Sequence, residues 1–415
     1  MLKINRMLYD FLWDRKPDKL KRIIAKQKID NGGINMIDIT LFEKALKITW
    51  VRRLILGRQK WKTLATTLYP ELNEIQNYGN HFLISLYKNM SNPFWSNVIT
   101  CLHEFQSKIC IGTMETLKAT SFLFNDKFKI NNSVIQNKVF IKNKLFFVHQ
   151  LMDNNCFLNF EEFNLKYNVE IDYLSYYSIL RCIKTSSNFN ELEITNQNYL
   201  CQPVFATIIK NKKGAALIYK TLLDKVNESK GRDKWILELN IDQDEWLGYF
   251  AHLKRTTPDT KLRWLQLRIN HHILTTNRSV SKYKDNQTDL CHFCNQQSET
   301  IQHLLWRCNI IKKFWNELIS LINQRCKHAH RLEIDEKLAI FGQSQNIYTD
   351  RVLDLIILMA KFFIYRSKVQ DTPLLLKCFV REVYDRYCAE KIIRKNSNQF
   401  KIDWCAYTEL FKSLM

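Results

Sequence analysis

Glycine and proline are scarce in this chain, 9 and 6 among 415 residues. Architectures built from hairpins spend both residue types at their turns, so the scarcity argues against them and favours long helices. Acidic residues are also in short supply: 41 Asp and Glu face 62 Lys and Arg, a formal net charge of +21. Such an imbalance suits a polyanionic partner; nucleic acid is the commonest, and an anionic membrane surface would satisfy the same charge. No apolar run reaches the roughly 20 residues that a bilayer crossing needs. The most apolar stretch, Val352 to Tyr365, is broken by Asp354 and Lys361 and reads as a buried helix. The first residues lack the apolar run and small-residue cleavage site of a signal peptide. The 12 cysteines are mostly scattered singly, as at Cys101, Cys156, Cys182 and Cys201, too thinly for a secreted disulfide framework. An intracellular, reducing setting is expected. Gly-rich phosphate loops, HExxH and GxSxG are missing as well, and no nucleophile–base pair can be assembled locally.

What is present begins with 46% hydrophobic residues, enough to fill real cores. Asn31-Gly32-Gly33 is a strong turn signal. A helix is expected after it, capped by Thr40 with Glu43 three residues on and ending near Gly57. Trp50 and the pair Arg52-Arg53 fall within it, as a core tryptophan and solvated basic face or as a nucleic-acid-facing stripe. Small elements separated by polar turns follow over 90–190. The stretch Ile183 to Leu200 is poor in apolar periodicity and is the best linker candidate. Helix returns over about 202–250, with a charge-rich run at Lys225 to Lys234. Thr257-Pro258 then announces another helix, with Leu262, Leu265, Ile269 and Ile273 as its apolar stripe.

The densest chemistry lies in CHFCNQQSETIQHLLWRC, residues 291–308. Cys291 and Cys294 form a C-x2-C pair, His303 follows after eight residues and Cys308 after four more. Two thiolates at that separation can point from one tight turn onto one ion. Three sulfurs and an imidazole complete a tetrahedral Zn2+ site with no open position for water, so the site is expected to be structural. Geometry raises one objection. If Glu299 to Ile322 were a single regular helix, His303 and Cys308 would point about 140° apart. Both can reach one metal only if the backbone between them is irregular or the helix starts later; otherwise Cys308 simply packs on the apolar face.

Weaker candidates are Cys326, His328 and His330 in RCKHAHR, and Asp242, Asp244 and Glu245 in IDQDEW. From Ala251 to Arg331 fourteen Lys and Arg face five Asp and Glu. Lys261, Arg263, Arg268, Arg278, Lys282, Lys284, Arg307, Lys312 and Lys313 are the candidate phosphate contacts, with Trp264 among the interleaved aromatics that could stack on unpaired bases. Tyr283, Phe293 and Trp306 are further aromatics of this region, Trp306 with packing against the finger as its alternative role.

Four stretches resemble the C-terminal part of the reverse-transcriptase polyprotein of LINE-type, non-LTR retrotransposons. FLWDRKPDKLKRIIAKQKIDNGGINMIDITLFEKALKITWVRRL, Phe11 to Leu54, resembles the segment beyond the polymerase palm, in the thumb region. FFVHQLMDNNCFLNFEEFNLKY resembles the family's middle connector. KLRWLQLRINHHILTTNRSVSKY with LCHFCNQQSETIQHLLWRCNIIKKFW resembles its zinc-binding segment, and LIILMAKFFIYRSK the helix that often follows. Carried over by position, Cys291, Cys294, His303 and Cys308 correspond to the family's zinc ligands. Arg263, Arg268 and Arg278 fall on its basic segment ahead of the finger.

The resemblance implies a mainly α fold: a thumb-like helical segment over 1–90, a connector over 91–190, a linker and helical segment over 191–250, a basic helix with a CCHC zinc-binding domain over 251–331, and a C-terminal helical region over 332–415. It implies Zn2+ as cofactor, and RNA, and possibly a DNA template-primer, as partner, with no membrane. Polymerase chemistry needs paired aspartates to hold two metals, and the sequence contains no Asp-Asp pair. A truncated, non-catalytic remnant or a partial gene is therefore expected, with a zinc-stapled scaffold for protein interaction as the alternative.

Overall fold

The computed structural model describes residues 2–195, 201–210, 214–223, 230–285, 287–326, 331–342, 350–394 and 397–411. Helices dominate, and strands among the described residues are confined to two antiparallel pairs, Lys129–Ile130 with Ser133–Val134 and Met152–Asp153 with Cys156–Phe157. The mainly α expectation holds. No described helix is long and apolar enough to cross a membrane. The chain divides into two compact units, Met1–Leu8 with Ile37–Asp224 and Tyr9–Met36 with Lys225–Met415.

In the first unit the helix Ile39–Leu56 buries Ala45, Ile48, Val51 and Leu54, one residue every three along a single face. Its cap is Asp38, whose side chain accepts from the Leu41 amide at 3.1 Å, and Thr40 lies inside the first turn instead, its hydroxyl accepting from Asn5. Gly57 ends the helix as expected, its amide bonding to Arg53. Trp50 is half-buried against Trp61 and Phe94, with the Arg53 guanidinium 4.6 Å from its ring centre. The helix Pro93–Ser107 packs on this one from an Asn92 cap, burying Trp95, Val98, Ile99, Leu102 and Phe105. A second cluster gathers Phe122, Phe128, Phe140, Phe163 and Tyr176. The expected linker starts inside a helix, Tyr173–Ser186, where Ile183 is fully buried. Residues 196–200 of that stretch lie outside the described residues.

The second unit holds the larger core. The apolar run reads as expected: the helix Arg351–Gln370 is its central rod, with Leu355, Ile356, Ala360 and Ile364 buried. The two charges that interrupt the run, Asp354 and Lys361, are buried with it, and Lys361 donates to Gln266 and to the Ile340 carbonyl. Burial of an ammonium demands such acceptors. Thr260–Asn270 is the helix announced at Thr257-Pro258, but its cap is Asp259, which accepts from Lys261 and Leu262. It stops at Asn270, so Ile273 lies beyond it.

The turn at Asn31-Gly32-Gly33 joins this unit. Gly32 has φ +80, a left-handed conformation suited to glycine, and a Cβ there would lie 2.9 Å from the Trp246 ring. Its carbonyl accepts from Nε2 of His271 at 2.6 Å. Burial pushes the His271 imidazole down to about 4, against the opposing effect of that hydrogen bond. The unfolded chain takes up the proton near 6.5 and the folded chain only near 4, so this contribution is complete above pH 6.5 and is lost as pH falls toward 4. Acidification across that window should cost about 3 kcal/mol through this residue. Chemical denaturation of wild type and His271→Gln at pH 7 and 5 checks it: the wild type should lose more on acidification, and equal losses would remove His271 as the cause.

Candidate metal centre

Cys291 follows a short antiparallel bridge between Leu290 and Ser298. The Cys291 amide donates to the Gln297 carbonyl and the Asn295 amide donates to the Cys291 carbonyl, closing a tight knuckle. Asn295 takes the left-handed conformation, φ 52, which asparagine tolerates better than most residues. Cys291 and Cys294 thus face the same side.

The third and fourth groups depend on an irregular helix. Thr300 starts a helical turn, its hydroxyl accepting from the His303 amide at 3.0 Å. From His303 to Arg307 the backbone widens into a π turn, and the Cys308 amide bonds to the His303 carbonyl, five residues back. Cys308 is extended, with φ −63 and ψ 132, and the helix Asn309–Arg325 starts after it. This break removes the 140° divergence that a regular helix would impose. Trp315 supports it by donating from its ring nitrogen to the Leu305 carbonyl at 2.8 Å.

The four ligand atoms of Cys291, Cys294, His303 and Cys308 lie within 4.8 Å of one another. Ligands of a tetrahedral zinc lie about 3.5–3.8 Å apart, so the set is close to the required size. Nε2 of His303 is the nitrogen turned inward, 3.3 Å from the Cys294 sulfur. Cys291 and Cys308 are fully buried and His303 is 5% exposed. The Cys308 thiol is held below its ordinary range by the Cys291 thiol beside it and by the amides of Ile311 and Ile310 at the start of the following helix, against the opposing effect of burial. Three thiols and one imidazole converging in a buried site fit Zn2+. Bound there, zinc would supply cross-linking between the knuckle and the helix, with all four positions filled by protein.

Glu299 ties the knuckle to its surroundings. It is fully buried, accepts from the amides of Asn277 at 2.7 Å and His292 at 3.0 Å, and pairs with Lys368. His292 turns to Asp371, 3.4 Å away. The weaker candidates resolve differently. Asp242 caps the helix Gln243–Thr256, accepting from the Glu245 amide, while Glu245 binds Tyr249 and Lys337. Cys326 is buried, whereas His328 and His330 lie outside the described residues.

The basic candidates are spread around this unit. Lys261, Arg278, Lys282, Lys284, Lys312 and Lys313 are exposed. Arg307 makes a two-pronged pair with Glu336, at 2.6 and 3.1 Å. Arg263 donates to the Thr257 carbonyl, and the half-buried Arg268 lies 5.2 Å over the Tyr365 ring. Trp264 is half-buried against Trp13, ring centres 5.5 Å apart, and Trp306 packs on the core. Tyr283 is 69% exposed.

These features define a Cys3His metal centre built into a helical core. Residues 241–315 match the family model described as zinc-binding in reverse transcriptase, a stretch that contains all four ligands. No curated protein matches the chain.

Proposed function

We propose that this chain is a non-catalytic, nucleic-acid-holding region of a LINE-type reverse transcriptase, in which zinc shapes a basic surface that retains RNA or a template-primer. The observation that carries the reading is the coincidence, in one unit, of the reverse-transcriptase zinc-binding match, a buried Cys3His set and the exposed cations Arg278, Lys282, Lys284, Lys312 and Lys313. The metal set is closed, and the sequence has no Asp-Asp pair for two-metal polymerase chemistry, so the role assigned is binding. One observation favours a second reading, a zinc-stapled scaffold for a protein partner: the ligands Cys291 and Cys308 belong to the main hydrophobic core. RNA affinity at fixed salt separates the two. Wild type and Cys294→Ser are titrated with a structured RNA and an unrelated one, with zinc content measured in each sample. Loss of RNA retention together with zinc supports nucleic-acid holding. Zinc-dependent folding with no RNA binding beyond that of a polycation of equal charge supports the scaffold.

A further inference from the structure

Two clefts in the second unit share a wall. The first, about 200 Å³, lies between Lys19 and Lys21 of the Tyr9–Met36 segment and the residues Gly231, Lys234, His271 and His272. The second, about 400 Å³, runs on from Lys234 and His272 to Arg278, Lys282 and Tyr283. Because Lys234 and His272 line both, the two form one continuous groove. We infer that this groove binds single-stranded nucleic acid, with Lys19, Lys21, Lys234, Arg278 and Lys282 along the sugar-phosphate backbone and Tyr283 stacking on an unpaired base. The inference rests on the nucleic-acid reading above and specifies the strand and its seat.

Charge is the first argument. Five cations line the groove against one carboxylate, Glu238, which is hydrogen-bonded to His272 at 3.2 Å. The Lys19 ammonium is held below its ordinary pKa by partial burial and then by the charges of Arg268 and Lys16. Five cations along one groove favour an anion over a neutral or cationic ligand. Shape is the second argument. Leu274 and Ile301 pack beneath a lining of mixed polarity in the larger cleft, and Tyr283, 69% exposed, belongs to that lining. An exposed aromatic side chain in a cationic groove suits a base out of its stack, whereas the bases of a duplex already have stacking partners. The close approach of the walls is built in: a Cβ on Gly231 would fall 2.4 Å from the His271 backbone.

The sequence hides this groove because its walls are far apart in the chain. Lys19 and Lys21 precede Arg278 by more than two hundred residues, and the turn at Gly32, bonded to His271, brings their segment into the unit.

The test measures binding of the full chain to a 15-nucleotide oligo-U RNA, the matching oligo-dT DNA and a duplex of equal length, at several salt concentrations. Lys19→Ala with Lys21→Ala, and Arg278→Ala with Lys282→Ala, should each weaken single-strand binding about tenfold. Each pair should also lower the salt slope by about 1.4, the value for two lost phosphate contacts on a single strand. Tyr283→Ala should weaken binding about tenfold with the slope unchanged. Lys377→Ala with Lys401→Ala, exposed lysines outside the groove, should leave binding as it is. Whichever single strand binds more tightly names the occupant. Wild-type binding that the groove variants leave intact, or a preference for the duplex, overturns the groove while sparing the broader reading. No nucleic-acid binding by the wild type overturns both.

Discussion

Cys308→Ser, or chelation of zinc from the wild type, should strongly destabilise the Tyr9–Met36 and Lys225–Met415 unit. The wild type should carry one zinc per chain and the variant none. Structural zinc contributes on the order of 10 kcal/mol in small finger peptides. Here the surrounding core retains part of the fold, so a loss of several kcal/mol is expected rather than complete unfolding. The large effect follows from burial. Cys291, Cys308 and His303 are set inside the core, so loss of the ion leaves polar groups there without the partner that holds them together. The amides of Ile310 and Ile311 and the Cys291 thiol already favour a deprotonated sulfur at Cys308, the form that a metal takes. Cys326→Ser is the control, since that cysteine is also buried but lies outside the ligand set. Zinc content by mass spectrometry and denaturation followed by circular dichroism read the result. A Cys308→Ser protein that keeps its zinc and its stability would show that Cys308 only packs.

The second large effect is expected at Glu299, which is no metal ligand. Glu299→Ala should destabilise the same unit by about 3–5 kcal/mol, the range for removing one partner of a buried ion pair. The substitution leaves the Lys368 ammonium, whose side chain is 10% exposed, without its carboxylate. It also leaves the Asn277 and His292 amides without their acceptor. Because His292 sits between two ligand cysteines, slack there should pass to the knuckle. Zinc affinity, measured by competition with a chromophoric chelator, should fall about 10–100-fold, as for other residues that brace metal ligands. Glu299→Gln keeps an oxygen acceptor but loses the charge and should fall between the two. Stability of Glu299→Ala within about 1 kcal/mol of wild type would be inconsistent with a buried ion pair at this position.

Some helix boundaries were legible only to within a residue or two. Thr40 and Thr257 carry the right chemistry for caps, but Asp38 and Asp259 take the positions, because several neighbouring side chains could cap and local backbone geometry chooses among them. The periodicity of Leu262, Leu265 and Ile269 was readable and the end at Asn270 was not, since Ile273 continues the same spacing. A polar stretch such as 183–200 reads as a linker from composition, yet Ile183 is drawn into a core by residues distant in the chain.

The sequence by itself determined the helical class, through the scarcity of glycine and proline and the helical spacing of apolar residues. It also singled out Cys291, Cys294, His303 and Cys308 as the candidate metal set, because ligand type and spacing are local properties that a short motif carries, while leaving open whether Cys308 could reach the others. Tertiary structure alone decided three things. The π turn at His303–Arg307 brings Cys308 to the other ligands, supported by a hydrogen bond from Trp315 that no local pattern announces. Among the basic and aromatic candidates, Arg307 is paired and Trp264 packed, while Arg278 and Lys282 line a groove. That groove gains Lys19 and Lys21 because a buried histidine holds a distant turn in place. Charge and residue type are properties of the chain, but burial, pairing and the meeting of distant side chains are set by packing.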